Sequence, residues 1–477
     1  MVENLKETRL FIGGAWSEAE SGRRFDDLNP ETGALYGRAA LAAAGDVARA
    51  VAAAKAAFPK YASTTVTERE ALLFRASELL LARKTEFVDA LVDEIGSPLR
   101  KAEHEFGRAL TFMRAAAGMV RTATGKTIPS DVPGRISMSM RAPLGVVAAI
   151  TPFNVPLIKG VRLTANPLAL GNTVVLLCSE EAPIISGMLA KVYEDAGFPA
   201  GTFNLVTGYG VDIGDALTGH PDVAMVTFTG SSRVGKHIQS ICARDNKRVT
   251  LELGGKNPMV VLADANIPKA VAAGSMGIFT YQGQVCMGNS RIYVEEGVYD
   301  EFVKKFVEFV SRLGIGDLRS PETVIGPIIS ERQRKRVQEH ILDAVHNGAQ
   351  LLTGGKWHGN RMEPTVLAGV KDGMLCARDE TFGPVVSVYS VSNYEEALRL
   401  ANDSNFGLSS AIFTSNIDKA LHFAQHVEAG MCHINTSALQ DEAHVPFGGT
   451  GDSGFGKEGT EADIEAMSDL KWVTINS

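Results

Sequence analysis

Thr173-Val174-Val175-Leu176-Leu177, followed by a helical stretch over 182–196 that Gly197 ends, is the segment that decides the fold. A short run of β-branched and aliphatic residues without a charge predicts a strand covered on both faces, as in a parallel sheet held between helical layers. Further along come Phe203-Asn204-Leu205-Val206, a short helix near 211–217, a strand over 224–228, a helix from Ser231 and a strand over 249–253. Strands alternating with helices imply right-handed crossovers and a parallel sheet of the nucleotide-binding type. A second alternating block runs from Pro258 to Asn435, with strands near 259–262, 291–294, 385–389, 410–413 and 431–434 and helices such as 299–313. Two such blocks predict two lobes with a cleft between them, where loops from both can meet.

The flanks read differently. Residues 43–58 and 67–95 repeat apolar side chains at helical intervals. Thr67-Glu68-Arg69-Glu70 has the form of a capping box, and Gly96-Ser97-Pro98 reads as a stop. The alternating run 135–140 and the closing run 471–475 predict two strands of an arm, pairing with each other or with another subunit.

Composition excludes several classes of function. The 477 residues carry a formal charge of -8, so no electrostatic footprint for nucleic acid is expected. The most apolar stretch, 142–153, is interrupted by prolines and falls short of the roughly 20 residues a bilayer requires. Five cysteines without a CxxC pair and ten histidines without ligand spacing predict neither a disulfide framework nor a metal site. The polar start, Met1 to Glu7, lacks a signal-peptide core. The expectation is a metal-free cytoplasmic protein.

Four motifs can carry chemistry, and each has a plainer alternative. Thr229-Gly230-Ser231 opens a helix where a pyrophosphate would meet unpaired N–H groups, though glycine there also serves conformation alone. Glu252, between Leu251 and Leu253, is either a general base tuned by apolar surroundings or a solvated glutamate at a strand end. Cys286, in the polar turn Gln282-Gly283-Gln284-Val285-Cys286, is a nucleophile or an inert buried thiol. Asn154, bracketed by Pro152 and Pro156, is a rigid oxyanion donor or a turn residue. The segments 379–384 and the glycine-dense 445–456 read as flexible loops or as site-lining ones.

In order and spacing these segments resemble the NAD(P)-dependent aldehyde dehydrogenase superfamily over essentially the whole chain. The resemblance implies an α/β protein: a Rossmann-like parallel-sheet cofactor domain (1–123 and 145–254), an α/β catalytic domain (255–446), and a small β oligomerisation arm with the C-terminal segment (124–144 and 447–477). It implies Cys286 as nucleophile, Asn154 as oxyanion donor and Glu252 as the base that activates water, which favours release of a free acid over transfer to coenzyme A. Glu380, with Phe382 beside it, matches the nicotinamide-ribose contact. Gly230 and Ser231 match the pyrophosphate turn, Glu180 the adenosine-ribose contact, and Thr151 and Phe153 complete the cofactor set. A carboxylate at 180 favours NAD over NADP, as does Leu177, where most relatives have a lysine.

The segments 155–162 and 432–446 resemble the benzaldehyde, vanillin and salicylaldehyde branch, implying an aromatic aldehyde as substrate. Phe153, Ile158, Tyr281, Val285 and Phe447 are the candidate pocket walls, and each could equally be core. Many members have Trp-Lys where this chain has Arg162-Leu163, and Arg162 reads equally as a structural ion pair or a catalytic group. An aliphatic aldehyde or a semialdehyde is the alternative substrate, with Arg162 as the cation for a distal carboxylate. A catalytically silent scaffold is the remote one. A homodimer or homotetramer is expected from the arm.

Overall fold

The computed structural model describes residues 5–476. The first four residues of the expected cofactor segment and the last residue of the arm segment lie outside the described residues. The larger sheet has eight strands in the order Gly454–Phe455, Arg248–Glu252, Val223–Thr229, Val146–Ile150, Thr173–Leu177, Phe203–Val206, Leu10–Ile12 and Ala15–Ser17. The middle five are parallel, as the alternating pattern predicts. The edges are antiparallel: Gly454–Phe455 closes one side and an N-terminal hairpin the other.

Two apolar layers sandwich this sheet. Helices Ala44–Ala62, Gly210–Thr218 and Ser232–Arg244 pack on one face. Helices Val66–Ala82, Leu99–Met119, Pro156–Ala169 and Pro183–Asp195 pack on the other, around Phe87, Phe106, Phe112 and Tyr193. Burial on both faces explains why 174–177 is aliphatic throughout.

The second sheet has seven strands, in the order Gln350–Thr353, Thr365–Ala368, Val385–Val391, Arg291–Glu295, Pro258–Val261, Ser409–Phe413 and Met431–Ile434. Only Gln350–Thr353 runs antiparallel to its neighbour. The chain passes between the sheets through the five residues Leu253 to Asn257, so Glu252 ends one sheet at the mouth of the other.

The N-terminal region departs from expectation in three ways. Besides helices it holds five strands: Lys6–Thr8, Leu10–Ile12, Ala15–Ser17, Arg24–Leu28 and Leu35–Ala40. Most are too short to show a period, and their partners can be distant, as Phe11 opposite Leu205 shows. The capping box is also shifted. Thr65 caps helix Val66–Ala82, with Glu68 N–H donating to Thr65 Oγ1 at 3.2 Å and Thr65 N–H to Glu68 Oε2 at 2.7 Å. The sequence Thr65-Val66-Thr67-Glu68-Arg69-Glu70 spells the motif in two registers. The earlier one lets Arg69 donate to the carbonyls of Thr64 and Ala169. The expected helix 67–95 is two helices, Val66–Ala82 and Lys84–Asp93, joined at Arg83.

The arm strands, Ile136–Pro143 and Ser468–Ile475, pair with each other in an antiparallel register from Pro143 opposite Ser468 to Ile136 opposite Ile475. Ile136, Met140, Leu470 and Ile475 are exposed, and Trp472 is 68% exposed.

Candidate active site

Loops from both sheets meet beside the Leu253–Asn257 crossing. Asn154 lies between strand Val146–Ile150 and helix Pro156–Ala169, and is buried. Its Nδ2 donates to the carbonyl of Gln284 at 2.8 Å, and its own carbonyl accepts from Lys101 Nζ at 2.8 Å. The amide is therefore held by tertiary bonds as well as by the flanking prolines, and the turn-residue reading falls away.

Cys286 follows a tight turn in which Tyr281, Gln282 and Gly283 take φ of 63°, 55° and 69°. Left-handed backbone at non-glycine residues is strained and persists only where surroundings fix it. Here a Cβ on Gly283 would sit 2.0 Å from the Gly383 carbonyl, and Gln284 Oε1 accepts from Ile329 N–H at 3.1 Å. The Cys286 carbonyl accepts from Asn257 Nδ2 at 2.8 Å. Cys178, Cys242 and Cys376 are buried, whereas Cys286 and Cys432 are half-buried. Burial pushes the Cys286 thiol well above its ordinary value; the negative charge of Glu252 adds to that and Lys159 opposes it. The thiol thus rests protonated and needs a base to become nucleophilic.

Glu252 is that neighbour. It is 1% exposed, and neither carboxylate oxygen has a hydrogen-bond partner among the described residues. The solvated reading is excluded. Burial raises its pKa, Lys159 lowers it, and Glu458 raises it again. Lys159 Nζ stands 3.6 Å from Glu252 Oε2 and 2.8 Å from Glu458 Oε2. Arg162, 1% exposed, sets Nε 3.0 Å from Glu458 Oε2 and Nη1 3.0 Å from Asp441 Oδ2, between the rings of Phe112 and Phe447. Arg162 is therefore an ion-pair residue, already engaged by two carboxylates.

Lys159, Glu458, Asp441 and the pair Lys101–Glu105 are absent from the sequence-derived site. Lysine and arginine three apart inside the mostly apolar helix 156–169 are the signal that could have flagged Lys159 beside Arg162. Charges buried on a helix must find partners.

The residues expected to hold a cofactor come from several loops. Ser231 caps helix Ser232–Arg244 without a side-chain bond and is exposed, leaving first-turn N–H groups turned to solvent. Gly230 instead donates its N–H to the Glu252 carbonyl at 3.0 Å, and a Cβ there would lie 2.4 Å from the Phe228 ring. It shapes the turn, and its N–H is already spent. Glu380 accepts the N–H of Gly255 at 3.0 Å, and burial pushes it up to about 7. The Phe153 and Phe382 rings meet edge to face at 5.9 Å, and Thr151 is buried nearby in sequence. Glu180 is half-buried in the loop after strand Thr173–Leu177, whose last residue is buried. A helix N-terminus, two carboxylates and a pair of aromatic rings fit a dinucleotide.

Of the candidate walls, Phe447 packs with Met287 and Leu408 against Cys286, which Val285 directly precedes. Ile158 belongs to the helical core with Phe153 beside it, and the Tyr281 ring lies 5.1 Å from Lys101 Nζ. Among the described residues no cluster of three or more His, Cys, Asp or Glu is placed to hold a metal, and no helix is long and apolar enough to cross a membrane.

The pattern of the aldehyde dehydrogenase family matches residues 16–473. A vanillin dehydrogenase of Pseudomonas fluorescens is 42% identical over 471 residues, 98% of each chain. A benzaldehyde dehydrogenase of Bacillus subtilis is 36% identical over 468 residues, covering 98% of this chain and 96% of the other. The crystal structure of a salicylaldehyde dehydrogenase from Pseudomonas putida, complexed with salicylaldehyde, superposes with a TM-score of 0.96 at 36% identity, covering 99% of this chain and 98% of that one. The chain belongs to the aldehyde dehydrogenase family, and so to the oxidoreductases that use NAD(P) on an aldehyde group.

Proposed function

We propose that this enzyme oxidises an aromatic aldehyde of the benzaldehyde, vanillin or salicylaldehyde kind to the carboxylic acid with NAD, through a covalent adduct on Cys286. The observation that carries it is Glu252: buried, facing the Cys286 thiol, and with Lys159 as its ion-pair partner at 3.6 Å. A carboxylate in a dry cleft is a proton acceptor suited to a water.

In this reading the thiol gives up its proton to Glu252, which passes it on to solvent before the later step, and the sulfur adds to the carbonyl carbon. The carbonyl oxygen takes the negative charge within reach of the Asn154 amide and the Cys286 N–H. Bound NAD supplies the hydride acceptor that turns the adduct into a thioester. Glu252 then takes a proton from the water attacking the thioester carbon, the C–S bond breaks, and the acid leaves Cys286 as a thiolate. Ser231 and its helix would hold the pyrophosphate, with Gly230 shaping the turn. Glu180 and Glu380 would hold the two riboses, and Phe382, Thr151 and Phe153 would flank them. Glu180 with the apolar Leu177 disfavours the 2′-phosphate of NADP.

The aromatic substrate is supported by the named relatives and by Phe447, which packs against Cys286. A semialdehyde is disfavoured because Arg162 already serves Asp441 and Glu458. The test is NADH formation with benzaldehyde, vanillin and salicylaldehyde against succinic semialdehyde, repeated with NADP. Faster turnover of the semialdehyde would overturn the substrate reading, and a Cys286→Ser variant with the parent's rate would overturn the chemistry. A second copy of the chain would cover the exposed arm ribbon, as homodimer or homotetramer, which light scattering measures.

A further inference from the structure

Helix Leu99–Met119 carries two charged side chains, one turn apart, on its buried side: Lys101, 6% exposed, and Glu105, 0% exposed. Burying an ion pair rarely adds stability over apolar residues of similar size. Their contacts point elsewhere. Lys101 Nζ donates to Glu105 Oε2 at 2.7 Å, to Ser97 Oγ at 2.9 Å and to the carbonyl of Asn154 at 2.8 Å. Those three bonds use every proton an ammonium has. The other Glu105 oxygen, Oε1, accepts the N–H of Leu157 at 3.0 Å, in the first turn of helix Pro156–Ala169. Such an N–H has no partner within its own helix.

The pair therefore grips the Asn154 loop twice, at the carbonyl of Asn154 and at the main chain three residues on. The Asn154 side chain reaches the cysteine loop through Gln284, two residues before Cys286. One of its two amide protons is used in that bond, which leaves the other for an oxygen of the substrate. Where this proton points depends on the position of the Asn154 backbone, and that is what Lys101 and Glu105 hold.

We propose that Lys101 and Glu105 are positioning residues for the oxyanion donor: they fix the main chain at Asn154 and Leu157 so that the remaining Asn154 amide proton faces the carbonyl oxygen of the aldehyde. This rests on the role given to Asn154 above. Neither side chain touches the substrate. Their effect belongs to the transition state, where charge develops on the oxygen, and not to aldehyde binding.

The experiment measures kcat and KM with benzaldehyde and NAD for Lys101→Met and for the charge-free double variant Lys101→Met/Glu105→Gln, each in the parent and in an Asn154→Ala background. Glutamine can still accept the Leu157 N–H, and removing both charges leaves no buried ion unpaired, so the double variant keeps a folded control should Lys101→Met alone fail to fold. Melting temperature and circular dichroism check the fold. Both variants are expected to lower kcat about 10- to 100-fold, because displacement of a catalytic group by about 1 Å costs on that order, with KM changed less than about 3-fold. In the Asn154→Ala background the same changes are expected to cost less than about 3-fold more, since the group they position is gone. Two results would overturn the positioning role alone: kcat within about 2-fold of the parent, or equal losses in both backgrounds. An Asn154→Ala enzyme with the parent's kcat would overturn the oxyanion reading, and the positioning role with it.

Discussion

Two groups of buried acids in this molecule meet the cost of burial in different ways. At the crossing between the sheets, Glu252 and Glu458 are accompanied by Lys159 and Arg162. In the N-terminal region Asp27 and Glu94, both buried, have no cation among the groups that act on them. Glu94 accepts the N–H groups of Ile184 and Ile185 at 2.7 and 2.9 Å, and shares a hydrogen bond with Asp27. Burial, then the neighbouring carboxylates, holds Asp27 and Glu94 well above the usual range, and Glu181 beside them is pushed up to about 7. One group is neutralised by ammonium and guanidinium, the other by retained protons. The cations of the first group lower the cost of an anion, the form a general base requires.

Substitutions at the crossing test the contrast most severely. Glu252→Gln keeps shape but removes the proton acceptor, and acid release should fall about 10²- to 10⁴-fold by steady-state NADH formation, the usual worth of a general base. The burst of NADH on mixing should slow as well, because the same carboxylate takes the thiol proton before acylation.

Lys159→Met would make the crossing resemble the N-terminal group. Without the ammonium the Glu252 pKa rises, so the base ionises only at higher pH. The expected result is a loss of about 10-fold at pH 7 that is recovered as pH increases, read from the pH profile of kcat, one pKa unit being tenfold in ionised base. An unmoved profile would show that Lys159 does not set the charge of Glu252.

The N-terminal group yields to a stability measurement. Asp27 has a folded pKa above its unfolded value of about 4, so the folded state holds more protons than the unfolded chain above that pH. Its contribution is complete below pH ~4 and is lost as pH rises through the raised folded value. Asp27→Asn should flatten this decline and raise Tm at pH 8 by about 2 °C, by differential scanning fluorimetry, if ~1 kcal/mol is recovered. A Tm difference that stays constant from pH 5 to 8 would contradict the protonated state.

The smallest expected effect is at Glu458. It raises the Glu252 pKa by its own charge and occupies Lys159. Glu458→Gln should move the acidic limb of the kcat profile downward by less than about one pH unit, with little change at pH 8.

How much of this was legible depends on distance along the chain. Strand Thr173–Leu177 and strand Phe203–Val206 have the boundaries their apolar runs indicate, because burial on both faces is written into neighbouring residues. Asn154, Glu252 and Cys286 stood out as polar or reactive groups in local settings that made each unusual. The capping of helix Val66–Ala82 was readable as a motif but not as a register, since two registers fit and the contacts of Arg69 choose between them. Glu458 and Lys159 are 299 residues apart, and no local pattern joins them.

By itself the sequence determined the alternation of strands and helices and the membership of a family, and it singled out Asn154, Glu252 and Cys286 as candidates. Those follow from periodicity, from turn chemistry and from residues whose neighbours constrain them. Only the tertiary structure decided that Glu252 is dry, that Arg162 is engaged, and that Lys101 and Glu105 stand behind Asn154. Charge state and orientation depend on what surrounds a group in space, and a buried charge takes its partners from wherever the fold brings them.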